Sequence, residues 1–299
     1  MSLTLKQDAE FKAHDNYVMD VKFMPEKPML VTAGMDNLVR VYGKPNWKLM
    51  KTIEGHQNSV NAIAFAPTDN YILTISTDKT LRKWMVRTGH EMWSVEAHKK
   101  TVSAIAVNPA GTIAATGGYD GMVKLWNTED GQELACYEDI GSNVATLAWT
   151  PDGEHLLGGG LGEDIFVWKV SAGELAQRFT AHETVVSRLQ VLPTAGLLLS
   201  AGGDKLLKVW GLADFSHQNT VELPVKGSYA MAVSRDEDWL AVAMEKRVNL
   251  YTLPDVNLMQ TLWLKAKGVY SVDFSPDGRF IAAGSANKLV NIWRFEEEA

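Results

Sequence analysis

Residues 97–138 read AHKKTVSAIAVNPAGTIAATGGYDGMVKLWNTEDGQELACYE, and this stretch decides the fold. It contains four short runs of strand-like composition, at 102–107, 113–116, 123–126 and 133–137. Turn residues separate these runs: Asn108-Pro109-Ala110-Gly111 after the first, three glycines and an aspartate after the second, and 127–131 after the third. The stretch therefore predicts one unit of four antiparallel strands.

Four side chains of this unit are spaced so that they can form one hydrogen-bonded chain: His98, Thr116, Asp120 and Trp126. An imidazole, a hydroxyl, a carboxylate and an indole N–H can be arranged so that each donor meets an acceptor. Such a chain would connect the loop before the first strand to the turn between the second and third strands. Because a buried polar group without a partner costs about 1–3 kcal/mol, we expect the four residues to act as one set.

The rest of the chain repeats this unit. The aromatic residue that ends each third strand recurs at steps of 42, 42, 42, 42, 41 and 42 residues, at Tyr42, Trp84, Trp126, Trp168, Trp210, Tyr251 and Trp293. An Ala-His or Gly-His pair, with a Trp 28 residues later and an Asp six residues before that Trp, resembles the WD40 repeat. The resemblance covers nearly the whole chain and implies an all-β, seven-bladed β-propeller with four antiparallel strands per blade.

Units that cannot bury their faces alone are expected to stack into a single domain, residues 1–299. The blades are predicted at about 13–54, 55–96, 97–138, 139–180, 181–219, 220–262 and 263–295. Residues 2–11 look like a fourth strand without the three that should precede it, and the last blade lacks a fourth strand. We therefore expect 2–11 to complete the last blade and protect its edge.

The polar set is complete in some blades only. The predicted structural sets are His14, Thr32, Asp36 and Tyr42 in blade one; His56, Thr74, Asp78 and Trp84 in blade two; His98, Thr116, Asp120 and Trp126 in blade three; and His182, Ser200, Asp204 and Trp210 in blade five. Blade four has no such His and carries Gly158 and Gly162 at the hydroxyl and Asp positions. Blades six and seven also depart from the set, so these three blades are expected to depend more on apolar packing.

The recurring histidines could suggest a metal site, because four imidazoles are a plausible ligand set for zinc. Each His, however, has its own hydroxyl, carboxylate and aromatic partner at fixed offsets, which favours a structural role. No group of Ser, His and Asp departs from the repeat as a catalytic triad would. The glycine-rich stretch 158–162 lacks the Lys-Ser/Thr of a phosphate-binding loop. We therefore predict no catalytic residue, no metal site and no cofactor.

Composition narrows the class of protein. The net charge of -7 argues against broad nucleic-acid binding, which needs a clustered basic face. Short basic clusters such as Lys99-Lys100 and Lys265/Lys267 are interpreted as solvated charges. The single Cys136 excludes an intramolecular disulfide, and neither a signal sequence nor an 18-residue apolar stretch is found. We expect a cytoplasmic protein that is monomeric by itself and has no membrane segment.

In WD40-like propellers the partner surface is usually formed by the loops before the first strand and between the second and third strands. The resemblance implies the same surface here, and this chain carries aromatic, Met and Leu residues at those positions. Such side chains favour a protein or peptide partner. The predicted partner-binding residues are Tyr17, Met19, Met35, Tyr119, Leu161, Tyr229, Met244 and Tyr270. The alternative is that some of them point into the central channel.

The function predicted from the sequence is that of a non-catalytic scaffold or adaptor, which binds a protein or peptide on this loop face. Two alternatives stay open at this point. One is an enzyme or receptor that uses the channel for a small ligand or a metal, which would require convergent polar groups that the repeat does not explain. The other is an RNA-associated scaffold, which the negative charge disfavours.

Overall fold

The computed structural model describes residues 3–65, 70–138, 140–224 and 230–297. Within these ranges the chain forms 28 β-strands and no helix, arranged as seven four-stranded antiparallel sheets. The protein is an all-β, seven-bladed β-propeller, which confirms the predicted fold class. Among the residues described, no helix has the length and hydropathy of a membrane span.

The strands follow one another in groups of four after the first strand, β1 (Leu3–Lys12). Blade one comprises β2 (Val18–Phe23), β3 (Met29–Gly34), β4 (Val39–Gly43) and β5 (Lys48–Ile53). Blade two comprises β6 (Val60–Phe65), β7 (Tyr71–Ser76), β8 (Thr80–Met85) and β9 (His90–Glu96). Blade three comprises β10 (Val102–Val107), β11 (Ile113–Gly118), β12 (Val123–Asn127) and β13 (Glu133–Tyr137).

The remaining blades continue the same order. Blade four comprises β14 (Val144–Trp149), β15 (His155–Gly160), β16 (Asp164–Lys169) and β17 (Glu174–Thr180). Blade five comprises β18 (Val186–Leu192), β19 (Leu197–Gly202), β20 (Leu206–Gly211) and β21 (His217–Glu222). Blade six comprises β22 (Ala230–Val233), β23 (Trp239–Met244), β24 (Arg247–Thr252) and β25 (Asn257–Trp263). Blade seven comprises β26 (Val269–Phe274), β27 (Phe280–Ser285) and β28 (Leu289–Glu297), with β1 as its fourth strand.

Burial differs along each blade in the way the strand sequences predict. In blade four, five of the six residues of β15 are buried, whereas six of the seven residues of β17 are exposed. The second strands are apolar runs because both of their faces are covered, and the fourth strands form a polar outer edge. The core therefore lies against the inner strands of each blade.

The chain divides into two compact units, Met1–Ile63 with Tyr229–Ala299, and Ala64–Ser228. The first unit contains blades one, six and seven, the second contains blades three, four and five, and the boundary falls inside β6. In the first unit, Leu250 of blade six and Ile281 of blade seven belong to one buried cluster. In the second unit, blades three and four share a cluster in the same way. Each unit is thus held by apolar packing between successive blades.

The first strand of the chain completes the last blade. β1 pairs antiparallel with β28, from Leu3 opposite Glu297 to Lys12 opposite Leu289. This pairing confirms the predicted closing strand for residues 3–11, while Ser2 lies outside the described residues. The main-chain groups of β28 that face β1 would otherwise form an open edge, and an open edge invites aggregation.

Candidate binding surface

The predicted polar set of blade three forms one hydrogen-bonded chain. The Trp126 indole N–H donates to the Thr116 hydroxyl at 2.8 Å, the hydroxyl lies 2.9 Å from Nε2 of His98, and Nδ1 of His98 lies 2.9 Å from Oδ1 of Asp120. The Thr116 hydroxyl oxygen accepts from the indole, so the hydroxyl donates its own proton to Nε2 of His98. Nδ1 of His98 therefore carries the ring proton and donates to the Asp120 carboxylate. Asp120 also accepts the backbone N–H of Lys99 at 2.8 Å.

Blade five repeats this chain with a serine in place of the threonine. The Trp210 indole donates to Ser200 at 2.9 Å, Ser200 lies 2.8 Å from Nε2 of His182, and Nδ1 of His182 lies 3.0 Å from Asp204. The Asp204 carboxylate also accepts the backbone N–H of Glu183 at 3.1 Å. Threonine and serine thus serve equally in this chain of bonds, because each supplies the hydroxyl.

The polar sets of blades one and two differ in their aromatic residue. His14 lies 2.7 Å from both Thr32 and Asp36, as in the other blades. Tyr42 was predicted to complete this set, but its hydroxyl donates instead to the backbone carbonyl of Ala13 at 2.8 Å. A phenolic hydroxyl sits at the end of its ring, whereas an indole N–H projects from the side. Burial raises the pKa of Tyr42 to about 12, so this hydroxyl stays a donor.

In blade two the Trp84 indole donates to the Thr74 hydroxyl at 2.8 Å, and both residues are buried. Asp78 accepts the backbone N–H and the hydroxyl of Thr80, at 3.0 and 2.6 Å. His56 is buried as well. The indole-to-hydroxyl bond is thus common to blades two, three and five.

Burial sets the ionisation of these polar chains. Desolvation lowers the pKa of His98 and His182 by more than the neighbouring carboxylates raise it. For Asp120 and Asp204 desolvation raises the pKa, but backbone N–H donors and the histidines outweigh it, and the pKa falls below 3.8. At neutral pH these sets therefore hold a neutral imidazole and a charged carboxylate. With both ring nitrogens bonded, neither imidazole offers an atom to a metal or a substrate.

An acidic turn of blade four brings together Asp152, Glu154 and His155, at distances that a metal could bridge. The turn itself accounts for the arrangement, because Asp152 accepts the Thr150 hydroxyl at 2.5 Å and the Glu154 N–H at 2.9 Å. These contacts lower the pKa of Asp152. A carboxylate that satisfies turn donors needs no bound ion to explain it.

The predicted partner-binding residues separate by exposure. Four are exposed: Tyr17, Met35, Tyr119 and Leu161. Met19 and Tyr270 are half-buried, and Met244 is fully buried. Tyr229 lies outside the described residues. The expected surface is therefore smaller than the sequence suggested.

Met244 precedes the turn residue Glu245 and was expected to point to the partner surface, but its side chain is fully buried. It is the last residue of β23 and pairs with Arg247, the first residue of β24, so only Glu245 and Lys246 form the turn. The corresponding turn of blade three is longer. The short turn keeps Met244 within the strand, where its side chain packs in the core and presents no surface to a partner.

In the first unit, Tyr17, Met35 and Tyr270 form a group that we call the aromatic surface. The two tyrosine rings lie 5.8 Å apart between centroids with a tilt of 30°, and such pairs contribute about 0.5–1.5 kcal/mol beyond the area that they bury. The Met35 N–H donates to the Tyr17 carbonyl at 2.9 Å, which brings the two loops together. A Cβ on Gly268 would lie 3.0 Å from the Tyr270 ring, so the ring rests on bare backbone.

A cavity of about 440 Å³ opens beside Tyr17 in the same unit, and we call it the lysine cavity. Its lining is Tyr17, Lys246, Leu264, Lys265, Ala266, Lys267, Ala286 and Asn287. The volume falls in the range of about 300–1,000 Å³ that ligand pockets occupy. A tyrosine, three apolar residues and three lysines therefore line one recess.

In the second unit, Tyr119 and Leu161 occupy the corresponding turns of blades three and four. The Tyr119 N–H donates to the Thr101 carbonyl at 2.9 Å, and the Leu161 N–H donates to the Asn143 carbonyl at 3.0 Å. These backbone bonds fix the turns while both side chains stay exposed. Tyr119 and Leu161 are thus two exposed apolar side chains on turns of the second unit.

A family model for the WD domain, G-beta repeat, matches residues 5–43, 47–84, 89–127, 173–211 and 258–294, which is more than half of the chain. This chain belongs to the WD-repeat family. The two longest unmatched stretches of this WD-repeat protein, 128–172 and 212–257, contain the first three strands of blades four and six. These are two of the blades whose polar sets the sequence marks as incomplete.

Several relatives share parts of the chain. An uncharacterized WD repeat-containing protein of Synechocystis sp. is 27% identical over 118 residues, which cover 39% of this chain and 34% of that protein. The small ribosomal subunit protein RACK1 of Schizosaccharomyces pombe is 25% identical over 122 residues, 38% of each chain. Pre-mRNA-processing factor 19 of Caenorhabditis elegans is 24% identical over 132 residues, 41% of this chain and 26% of that protein. The match spans between a quarter and two fifths of each relative.

Proposed function

We propose that this WD-repeat chain is a non-catalytic interaction scaffold, and that it binds a protein or peptide at the aromatic surface of Tyr17, Met35 and Tyr270. The observation that carries the proposal is the paired tyrosine rings beside an exposed methionine. Tyrosine and methionine are enriched in protein interfaces, because they bury a large area and adapt to a partner. Tyr17 and Met35 each expose 39% of their surface, so they are accessible.

The aromatic surface is also preorganised, which supports binding. The Tyr270 ring rests on Gly268, and the backbone of Met35 is bonded to that of Tyr17. Side chains that are already ordered lose less conformational entropy when a partner docks. A partner that meets this surface therefore finds it close to its bound shape.

The non-catalytic part of the proposal is supported by how the polar residues are used. His14, His98 and His182 each have both ring nitrogens in contact with groups of their own blade. A catalytic site needs a polar group that is free to act on a substrate. One relative is named as a protein of the small ribosomal subunit, and membership of an assembly is what the proposal expects here too. The cytoplasmic location and the monomeric state stay predictions.

The experiment compares partner capture by the wild-type chain and by Y17A/M35A/Y270A, with captured proteins quantified by mass spectrometry. We expect the triple variant to lose the partners while its circular dichroism spectrum stays unchanged. The matched control is L49A/M50A/L258A, which removes exposed apolar side chains from outer strands of the same unit. Partners that the triple variant retains, or that the control loses equally, would place the binding site elsewhere.

A further inference from the structure

Three lysines surround one recess of an acidic protein. Lys246 lies in the turn between β23 and β24, Lys265 and Lys267 lie in the loop before β26, and all three are exposed and line the lysine cavity. Like charges that are held close together repel one another. Three lysines at one recess make a local positive charge that favours an anion, although the chain as a whole carries a net charge of -7.

The backbone holds these lysines in fixed places. The Leu264 N–H donates to the Lys246 carbonyl at 2.8 Å, and the Asn287 side-chain amide donates to the Lys265 carbonyl at 3.2 Å. Leu264 is buried while Lys265 and Lys267 are exposed, so the loop directs its apolar side chains inward and its ammonium groups outward. A turn of blade six and the loop before blade seven thus place exposed lysines around the same recess.

The ion pairs of the described residues do not include the three lysines of the cavity. Within the described part of the chain, the three ammonium groups form no ion pair, whereas Lys6 pairs with Glu296 at 2.7 Å and Lys124 pairs with Glu133 at 2.8 Å. Glu245 adjoins Lys246 in the same turn and is itself exposed. The positive charge at the cavity is therefore available to an incoming group.

We infer that the lysine cavity receives carboxylate side chains of an acidic peptide, whose apolar residue contacts Tyr17 and Tyr270; this inference rests on the proposed function. The cavity joins the aromatic surface through Tyr17, so one peptide can reach both. Three lysines steer an acidic segment and fix its register. A nucleic acid fits less well, because its many phosphates would meet the negative charge of the rest of the chain.

The test selects peptides from a random display library on the immobilised full chain. We expect the selected peptides to be rich in Asp and Glu and to contain at least one aromatic or aliphatic residue. Selection on K265E/K267E should lose this acidic preference. The control K99E/K100E makes the same change in net charge at exposed lysines of the second unit and should keep it. A fluorescein-labelled consensus peptide should bind K265E/K267E about tenfold more weakly than wild type, and increasingly weakly in high salt.

The outcomes separate this inference from the proposed function. Peptides without acidic preference that still require Tyr17 and Tyr270 would overturn the inference and leave the proposed function standing. Acidic peptides that bind K265E/K267E as tightly as wild type would do the same. A labelled oligouridine that binds wild type and not K265E/K267E, with no acidic peptide selected, would assign the lysines to nucleic acid. A library that yields no peptide dependent on either group of residues would overturn both proposals.

Discussion

Blades three and four differ in chemistry at the residue of the second strand that faces the tryptophan of the third strand. Blade three has Thr116 at the centre of a polar chain, whereas blade four has Gly158 at that position and buries Trp168 completely. The Trp168 ring stacks with Tyr137 at 5.5 Å and with Phe166 at 5.9 Å between centroids. One blade is stabilised there by hydrogen bonds and the other by aromatic packing.

The glycine of blade four follows from this aromatic packing. A Cβ on Gly158 would lie 2.8 Å from the Trp168 ring and 3.1 Å from Leu147, so the ring occupies the space that a side chain would need. A partly satisfied polar network in a core is less stable than an apolar one. In these two blades, the position beneath the tryptophan holds either a hydroxyl that joins a polar set or a glycine that leaves room for a packed ring.

The largest effect is expected from W168A, which removes the aromatic substitute. Truncation of a fully buried Trp should lower the free energy of unfolding by about 3–5 kcal/mol, measured by urea denaturation. The control W263A removes a Trp with 67% exposure and should change stability by less than about 0.5 kcal/mol. A similar small loss for both variants would contradict the role assigned to Trp168.

The polar blade is broken by T116V, which keeps the shape and removes the hydroxyl. The Trp126 N–H and Nε2 of His98 both lose their partner, so we expect a loss of about 2–4 kcal/mol in the same assay. In T116V/W126F the indole donor is gone as well, and the double variant should be more stable than the sum of its two single losses predicts. Strict additivity would show that the chain does not act as one set.

A smaller effect is expected from G158A, which overpacks the aromatic blade. The new methyl group meets the Trp168 ring, and the loss should be about 1–3 kcal/mol. The smaller ring of W168F makes room, so the cost of G158A should shrink in the W168F background. A G158A protein as stable as wild type would mean that the ring does not require the glycine.

The smallest effect is the pH dependence, which we expect from the polar sets of blades three and five because their buried histidines have a lowered pKa. Burial lowers the pKa of His98 and His182 below 6.5, so the unfolded chain binds protons at a higher pH than the folded chain. Stability should therefore fall as the pH drops below 6.5, by up to about 1.4 kcal/mol per pH unit for each histidine. Urea denaturation at about pH 7.5 and pH 5.5 measures this dependence, and H98Q/H182Q should flatten it. A gain in stability on acidification would contradict the neutral state of these histidines.

Contacts within one repeat were predictable, because the strand register fixes them. The steps of 41 and 42 residues gave the blades, and the complete sets of blades three and five have the predicted bonds. The partner of Tyr42 was not predictable in the same way. Its hydroxyl is at the end of the ring and therefore donates to the Ala13 carbonyl, which the repeat does not indicate. Met244 was misjudged because the turn of blade six is shorter than that of blade three.

The exposure of the proposed binding residues was predictable only in part. Tyr17 and Met35 are exposed on the loops that the family resemblance indicated. The lysine cavity was not predicted, because Lys246 is 19 residues from Lys265 in the sequence and belongs to another blade. From the sequence alone, Lys265 and Lys267 are interpreted as solvated charges. The sequence does not show that Lys246 and Tyr17 line the same cavity.

The sequence by itself determined the repeat, the number of blades and the closing first strand, because each follows from spacing along one chain and from strand edges that must be paired. Only the tertiary structure decided which side chains are exposed, that Trp168 of blade four stacks on Tyr137 of blade three, and which lysines line one recess. Those properties depend on neighbours from other blades, whose distance in space has no counterpart in sequence separation.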